Sequence, residues 1–295
     1  MNNKIFTPII RDPLISYGVK PTDKVKLAKW NARDDLRTFT VNKPQKTCAA
    51  SILRPLKWVT KSGSTYLDGI AYCKSANSCP WCSPRKLAGK RQTVVAKAVN
   101  TIDRGGCVVY SVFTVAKIPN QHFGTRYKSL MTVIAVFRRK IQRLETQFGI
   151  IRSTRTVEET YSQGAGWHPH VNWLWYVNAE LPPKLLQKFQ REAIQLWVES
   201  AKACGFVRTS LKAQSAKRIH DSDGARRTAQ YSLKHSYYPL TKPTPDSDGK
   251  YRGLNAWDVL ELARRTGDLS WIIIYNEFEM AIKRKRRVHH YTNTT

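Results

Sequence analysis

Two histidines separated by one residue, His168 and His170, are the first place in this sequence where side chains of a useful type meet at a useful spacing. They lie in the segment Trp167-His168-Pro169-His170-Val171-Asn172-Trp173-Leu174-Trp175-Tyr176-Val177, whose pattern is that of a β-strand. Side chains alternate along a strand. His168, His170 and Asn172 therefore share one face, and Val171, Trp173, Trp175 and Val177 share the other, which is apolar and needs a covering layer. Two imidazoles two residues apart, about 7 Å by strand rise, point the same way and can bind one divalent cation. Pro169 has no N–H to give a ladder, so this part of the strand is expected at an edge or at the end of the sheet. Two imidazoles alone hold a hard cation poorly, and an oxygen ligand is expected to join them. The preceding strand offers Glu158 and Glu159. Thr154, Thr156, Glu158 and Thr160 form a polar face opposite Ile151, Val157 and Tyr161, which favours Glu158, with Glu159 as the alternative. The competing reading is an ordinary pair of surface histidines near a solvated carboxylate.

A candidate nucleophile follows in Arg226-Arg227-Thr228-Ala229-Gln230-Tyr231-Ser232-Leu233-Lys234. On a helix Tyr231 and Lys234 are neighbours at i and i+3. A phenol beside an ammonium and a metal-bound phosphate loses its proton more readily, and the phenolate can attack phosphorus. Arg226 and Arg227 are candidates for contacting DNA. Taken alone, Tyr-x-x-Lys is a common surface pairing. A third cluster is Cys73-x5-Cys79-x2-Cys82, three thiols in a short bend, with Cys48 available to complete a tetrahedral zinc site. Arg85 and Lys86 come directly after it and are placed to grip DNA phosphates.

The elements that must position these groups can be read from periodicity. Val108 to Val115 is a buried strand. Leu130, Ile134, Phe137, Ile141, Leu144 and Phe148 form one helical stripe, stopped by Gly149. Residues 151–161 and 167–177 are two strands joined by a turn at 162–166. Pro182 and Pro183 open a helix that runs to about Cys204. A basic stretch, 208–227, leads into a helix that carries Tyr231. Ala256 to Arg265 is a helix, and Trp271, Ile274, Phe278 and Ile282 mark another. This order implies an α+β protein. The expected organisation is an N-terminal arm at 1–45, a cysteine-rich zinc element at 46–92, a catalytic domain at 93–240, a linker at 241–255, and C-terminal helices with a basic tail at 256–295.

Composition limits the partners. Fifty Lys and Arg against 21 Asp and Glu give a net charge of +29 over 295 residues, and nucleic acid is the natural partner of such a chain. No run is apolar enough to span a membrane, and the N-terminus lacks a signal-peptide core. Clustered cysteines in a basic chain suggest metal rather than disulfides, which points to the cytoplasm of a prokaryote.

Taken together, these segments resemble the plasmid rolling-circle replication initiators of the HUH endonuclease superfamily. Gly166-Trp167-His168-Pro169-His170 is similar to their HUH motif. Glu158-Glu159-Thr160-Tyr161, Cys79-Pro80-Trp81-Cys82 with Arg85 and Lys86, Tyr231-Ser232-Leu233-Lys234 and Gly267-Asp268-Leu269-Ser270-Trp271 are similar to theirs in the same order, over roughly residues 45–290. The resemblance implies a ferredoxin-like, antiparallel five-stranded sheet with helices packed on it. It implies Mg²⁺ or Mn²⁺ on His168, His170 and Glu158. It implies attack by Tyr231, assisted by Lys234, that leaves a 5′-phosphotyrosine and a free 3′-OH for a polymerase. Origin DNA, single-stranded or extruded as a hairpin, and a host helicase are the implied partners. Two positions depart from the pattern. Asn172 stands where many relatives have a third histidine, and Arg227 stands where many carry a glutamate that helps to end replication. Asp221, Asp223, Tyr237 or Tyr238 are the candidates for that second role. The alternatives are an HUH transposase, a relaxase (although relaxases usually place the tyrosine before the histidines), or a non-enzymatic zinc-containing nucleic-acid-binding protein.

Overall fold

The computed structural model describes residues 33, 36–50, 52–61, 64–118, 121–179, 181–233 and 243–293. It is an α+β protein that divides into two compact units. No helix among the described residues is long and apolar enough to cross a membrane.

One unit comprises residues 89–160, 165–235 and 284–295. Its elements are the later part of α1 (Cys82–Asp103), β3 (Cys107–Thr114), α2 (Phe123–Gln147), β4 (Ile150–Ser162), β5 (Gly166–Val177), α3 (Pro183–Ala203), β6 (Ser215–Ile219), α4 (Ser222–Tyr231) and β7 (Val288–Thr292). The strands form one sheet in the order β6-β3-β5-β4-β7. β5 runs antiparallel to β3 with Thr114 opposite His170 and Val112 opposite Asn172. β6 and β7 are the edges, antiparallel to β3 and β4 respectively. Gly106 opens β3 because the chain passes close to its neighbour there: a Cβ would lie 2.2 Å from the Val177 carbonyl oxygen.

The apolar stripes drive this arrangement. Phe137 of α2 and Trp197 of α3 meet Phe113 of β3, the latter ring stacked at 5.0 Å, and Phe137 meets Trp173 edge-on. Trp175 meets Phe189 edge-on at 5.1 Å. All six rings are fully buried. Removing one such aromatic side chain costs about 3–5 kcal/mol, so the back face of the sheet anchors this unit. The front face carries His168, His170 and Asn172.

The second unit comprises residues 1–88, 161–164 and 236–283. It holds a two-stranded antiparallel ribbon, β1 (Ile52–Lys61) and β2 (Ser64–Ile70), the start of α1, and α5 (Ala256–Thr266) and α6 (Leu269–Ile282). Asn255 and Asp258 form a capping box at the start of α5. Buried Glu279 of α6 accepts from the Thr40 hydroxyl at 2.6 Å and from the Val41 N–H. Tyr275 donates to the Ser78 carbonyl and Asn77 to the Ile282 carbonyl.

Three of the expected segments are organised differently. Arg33, Leu36 and Arg37 are buried, so the chain before residue 46 is not a loose arm over its described part; residues 1–32 lie outside the described residues. The supposed linker is tied down where described: Tyr161 exchanges backbone hydrogen bonds with Leu254, and Gln163 bonds Tyr251. The last forty residues are split, because α5 and α6 belong to the cysteine-bearing unit and β7 completes the five-stranded sheet.

Candidate active site and metal centre

β5 is an interior strand, and Pro169 escapes the ladder because pairing with β3 ends at His170. The histidines therefore sit at the end of the sheet. Arg126 of α2, buried, donates to the carbonyls of Trp167 and Ile118 and pins the residue before His168. His168 Nε2 lies 3.1 Å from the Val115 carbonyl and 3.2 Å from the Thr114 hydroxyl. His170 Nε2 lies 3.3 Å from the Thr160 hydroxyl. The rings are in contact, centroids 4.6 Å apart, with His168 Nδ1 and His170 Nε2 separated by 3.2 Å. The side chains thus converge well inside the rise of the strand. Two cis ligands each about 2.1 Å from one ion are about 3 Å apart, so the nitrogen pair fits a shared cation. Burial, and then the neighbouring His170, hold His168 down to about 4, so the ring is neutral at neutral pH, the form that ligates.

Glu158 and Glu159 separate as alternation requires. Glu158 is buried on the histidine face, where its Oε2 accepts from Asn172 Nδ2 at 3.2 Å. Tyr110 donates its hydroxyl to Asn172 Oδ1 at 2.8 Å, so the amide is oriented with its NH₂ toward the carboxylate. Burial, with the charges of Glu158 and Tyr231 nearby, pushes the Tyr110 phenol up and keeps it a donor. Glu159 is on the other face, fully buried and paired with Arg287, and desolvation raises it to about 7. Glu158 does not close on the histidines. Among the described residues, the group of three or more His, Cys, Asp or Glu side chains drawn together tightly enough for one ion is the four cysteines. Instead, His168 meets His170 and Glu158 accepts from Asn172.

Tyr231 ends α4, whose cap Asp221 accepts from the Gly224 N–H. Buried Ala225 and Ala229 let this helix approach closely, and Thr156 of β4 donates to the Ser232 carbonyl at 2.7 Å. Thr156 is on the face of Glu158 and Thr160, so the end of α4 lies over the histidine face. Tyr231 itself is 53% exposed, and Arg226 and Arg227 are exposed one turn before it. Lys234, Tyr237 and Tyr238 lie outside the described residues.

The cysteines meet as the spacing suggests, with Cys48 as the fourth member. Their sulfurs all lie within 4.8 Å of one another. Cys48 Sγ is 3.7 Å from Cys79 and 3.6 Å from Cys82. Four sulfurs about 2.3 Å from a tetrahedral ion are about 3.8 Å apart, so the cluster can hold a metal ion. Hydrogen bonds from the other three thiols push Cys48 well below the usual thiol range; contact with Cys48 raises Cys73, and burial raises Cys79. The Ser75 and Cys82 N–H groups donate to the Cys73 and Cys79 sulfurs. Arg85 and Lys86 are early in α1, and Lys86 is exposed.

Sequence reasoning missed Tyr110 and Arg126, and gave Thr156 only as a member of the polar face of its strand. Each is visible only as a strand or helix residue of the correct parity, and its partner is remote in the chain. Compared with protein-family models, curated proteins and solved structures, the chain matches none.

Proposed function

We propose that the chain is a metal-dependent, single-strand DNA endonuclease of the HUH replication-initiator type. The observation that carries this reading is the gathering on one sheet face of two contacting imidazoles, the buried Glu158 and the end of the helix that carries Tyr231. The strand order β6-β3-β5-β4-β7 supports a ferredoxin-like assignment, because β3-α2-β4-β5-α3-β6 is a βαββαβ unit with one added edge strand. A charge of +29 supports a nucleic-acid substrate.

Mg²⁺ or Mn²⁺ held by His168 and His170, with Glu158 as the oxygen ligand from the same sheet face, would polarise the scissile phosphate. Tyr231 supplies the nucleophile. Its phenolic oxygen forms a bond to phosphorus, the bond from phosphorus to the 3′ oxygen breaks, and that oxygen leaves as the 3′-hydroxyl with the proton. Lys234 favours the phenolate, and Arg226 and Arg227 hold the flanking backbone. The product is a 5′-phosphotyrosine and a primer end. In a prokaryotic cytoplasm the substrate is origin DNA, opened by a helicase and extended by a polymerase. The cysteine centre takes Zn²⁺ in a structural role.

A second reading, a zinc-containing nucleic-acid-binding protein without catalysis, is favoured by the cysteine cluster alone. Incubating the protein with a random-sequence single-stranded DNA pool labelled at the 3′ end separates the two. A nickase gives a labelled, SDS-resistant protein band that EDTA abolishes, and a binding protein gives none under either condition. A transposase or relaxase of the same chemistry gives the band too, and is separated by testing whether the protein supports replication of a circular replicon.

A further inference from the structure

The β1–β2 ribbon is a sheet of its own. Cys48 lies just before β1 and Cys73 just after β2, so both feet of the ribbon run into the four-cysteine cluster. The Ala49 N–H donates to the Ala71 carbonyl at 2.6 Å, and Ile52 pairs with Ile70, which ties the feet to each other. Ala49 and Lys74, each directly after a cysteine, have φ of 54°. A residue with a side chain resists that conformation, so the turns at the feet depend on whatever holds the sulfurs. Leu56 leans on the cluster, but Ile52, Leu53, Arg54, Pro55 and Lys57 are exposed, Leu53 at 71%. The register of β1 shifts over this stretch, and its side chains lie open to solvent there.

The sequence that carries the ribbon is basic. From Lys43 to Ala88, within the ribbon's own unit, it has eight Lys and Arg and a single acid, Asp68, and Asp68 is paired with Arg54 at 2.8 Å. Lys43, Lys46, Lys57, Lys74 and Lys86 are all exposed. A two-stranded ribbon has the width that enters the major groove of duplex DNA, about 12 Å across. We infer that the β1–β2 ribbon, fastened at both feet by the cysteine cluster, is a binding surface for double-stranded DNA that is formed only while a metal holds the four sulfurs. This rests on the nucleic-acid part of the proposed function and not on its nicking chemistry.

The test uses the full chain, purified with zinc, and a labelled random-sequence DNA duplex whose binding is followed by fluorescence anisotropy over a range of salt. The double variant R54A/K57A should keep its zinc and its circular dichroism. It should lose roughly tenfold in duplex affinity, with a salt slope shallower by about one per lost phosphate contact. Stripping zinc with a thiol reagent, then reducing the thiols, should weaken duplex binding in the wild type, and added zinc should restore it. Duplex affinity and salt slope unchanged in folded R54A/K57A would overturn the inference, as would zinc-stripped protein that binds duplex like the loaded form. Weakening confined to a single strand of the same sequence would also overturn it. The covalent-adduct assay on the same samples separates the two proposals. An adduct with unaffected duplex binding in R54A/K57A sinks only the ribbon, and a ribbon effect without any adduct sinks only the nickase.

Discussion

The hydroxyl of Thr156 donates to the carbonyl of Ser232 at 2.7 Å, both residues buried, and so fastens the end of α4 to the strand that carries Glu158 two residues further on. Tyr231 is the residue immediately before that bond. Replacing Thr156 with valine keeps the volume and removes the donor. The bond is worth about 1 kcal/mol to stability, but a nucleophile that is no longer held in register slows chemistry more than it slows folding. Thr156→Val is expected to form the covalent adduct about tenfold more slowly in single-turnover experiments, with a melting temperature lowered by only a few degrees. An unchanged rate would mean that this bond does not place Tyr231.

Asn172 links Tyr110 to Glu158 through both ends of its amide. Asn172→Leu leaves two buried polar groups without that partner, at about 1–3 kcal/mol each. It should weaken Mn²⁺ binding, read by electron paramagnetic resonance, while Tyr110→Phe weakens it less. Equal Mn²⁺ affinity in all three proteins would show that the amide does not govern the carboxylate.

His168 is held down to about 4 in the folded protein against 6.5 for a free imidazole. As pH falls through that window the unfolded chain takes up a proton that the folded one refuses, so the contribution of this residue to stability is full above 6.5 and lost toward 4. In metal-free protein, His168→Gln should gain on wild type between pH 7 and pH 4.5 by up to about 3 kcal/mol. A difference that does not change with pH would contradict the half-buried, neutral ring.

The proposed catalytic site and the cysteine cluster, once loaded with metal, should respond differently to chelation. EDTA is expected to abolish the adduct at once, with Mn²⁺ restoring it, while the cysteine-bound metal remains through the treatment. Cys79→Ser should lose the bound zinc, measured by elemental analysis, and lower the melting temperature of the unit that contains the ribbon. Zinc content equal to wild type in that variant would remove Cys79 from the centre.

The elements with strong periodicity were legible: the helical stripe from Leu130 to Leu144 lies in α2, with Phe148 as its C-cap, and the alternation from Trp167 to Val177 is β5. The split of Glu158 from Glu159 followed from the same alternation. The edges were not legible. β6 reads Ser-Ala-Lys-Arg-Ile and β7 reads Val-His-His-Tyr-Thr. An edge strand needs an apolar face only where it meets the core, and both are hidden within basic stretches. The ribbon was missed because its ends are fixed by the cysteines rather than by its own pattern. At the site, the two histidines were legible from spacing alone. The Tyr110–Asn172–Glu158 chain was not, because it depends on the register of three strands, which a one-residue slip would dissolve.

The most direct measurement is denaturing electrophoresis of wild type and Tyr231→Phe after incubation with 3′-labelled single-stranded DNA and Mn²⁺, followed by peptide mapping of any labelled protein. Expected is a labelled wild-type band whose DNA is attached at Tyr231, and no band from Tyr231→Phe. Wild type that never becomes labelled, or a Tyr231→Phe band as strong as that of wild type, would contradict the assignment of the nucleophile and the chemistry built on it.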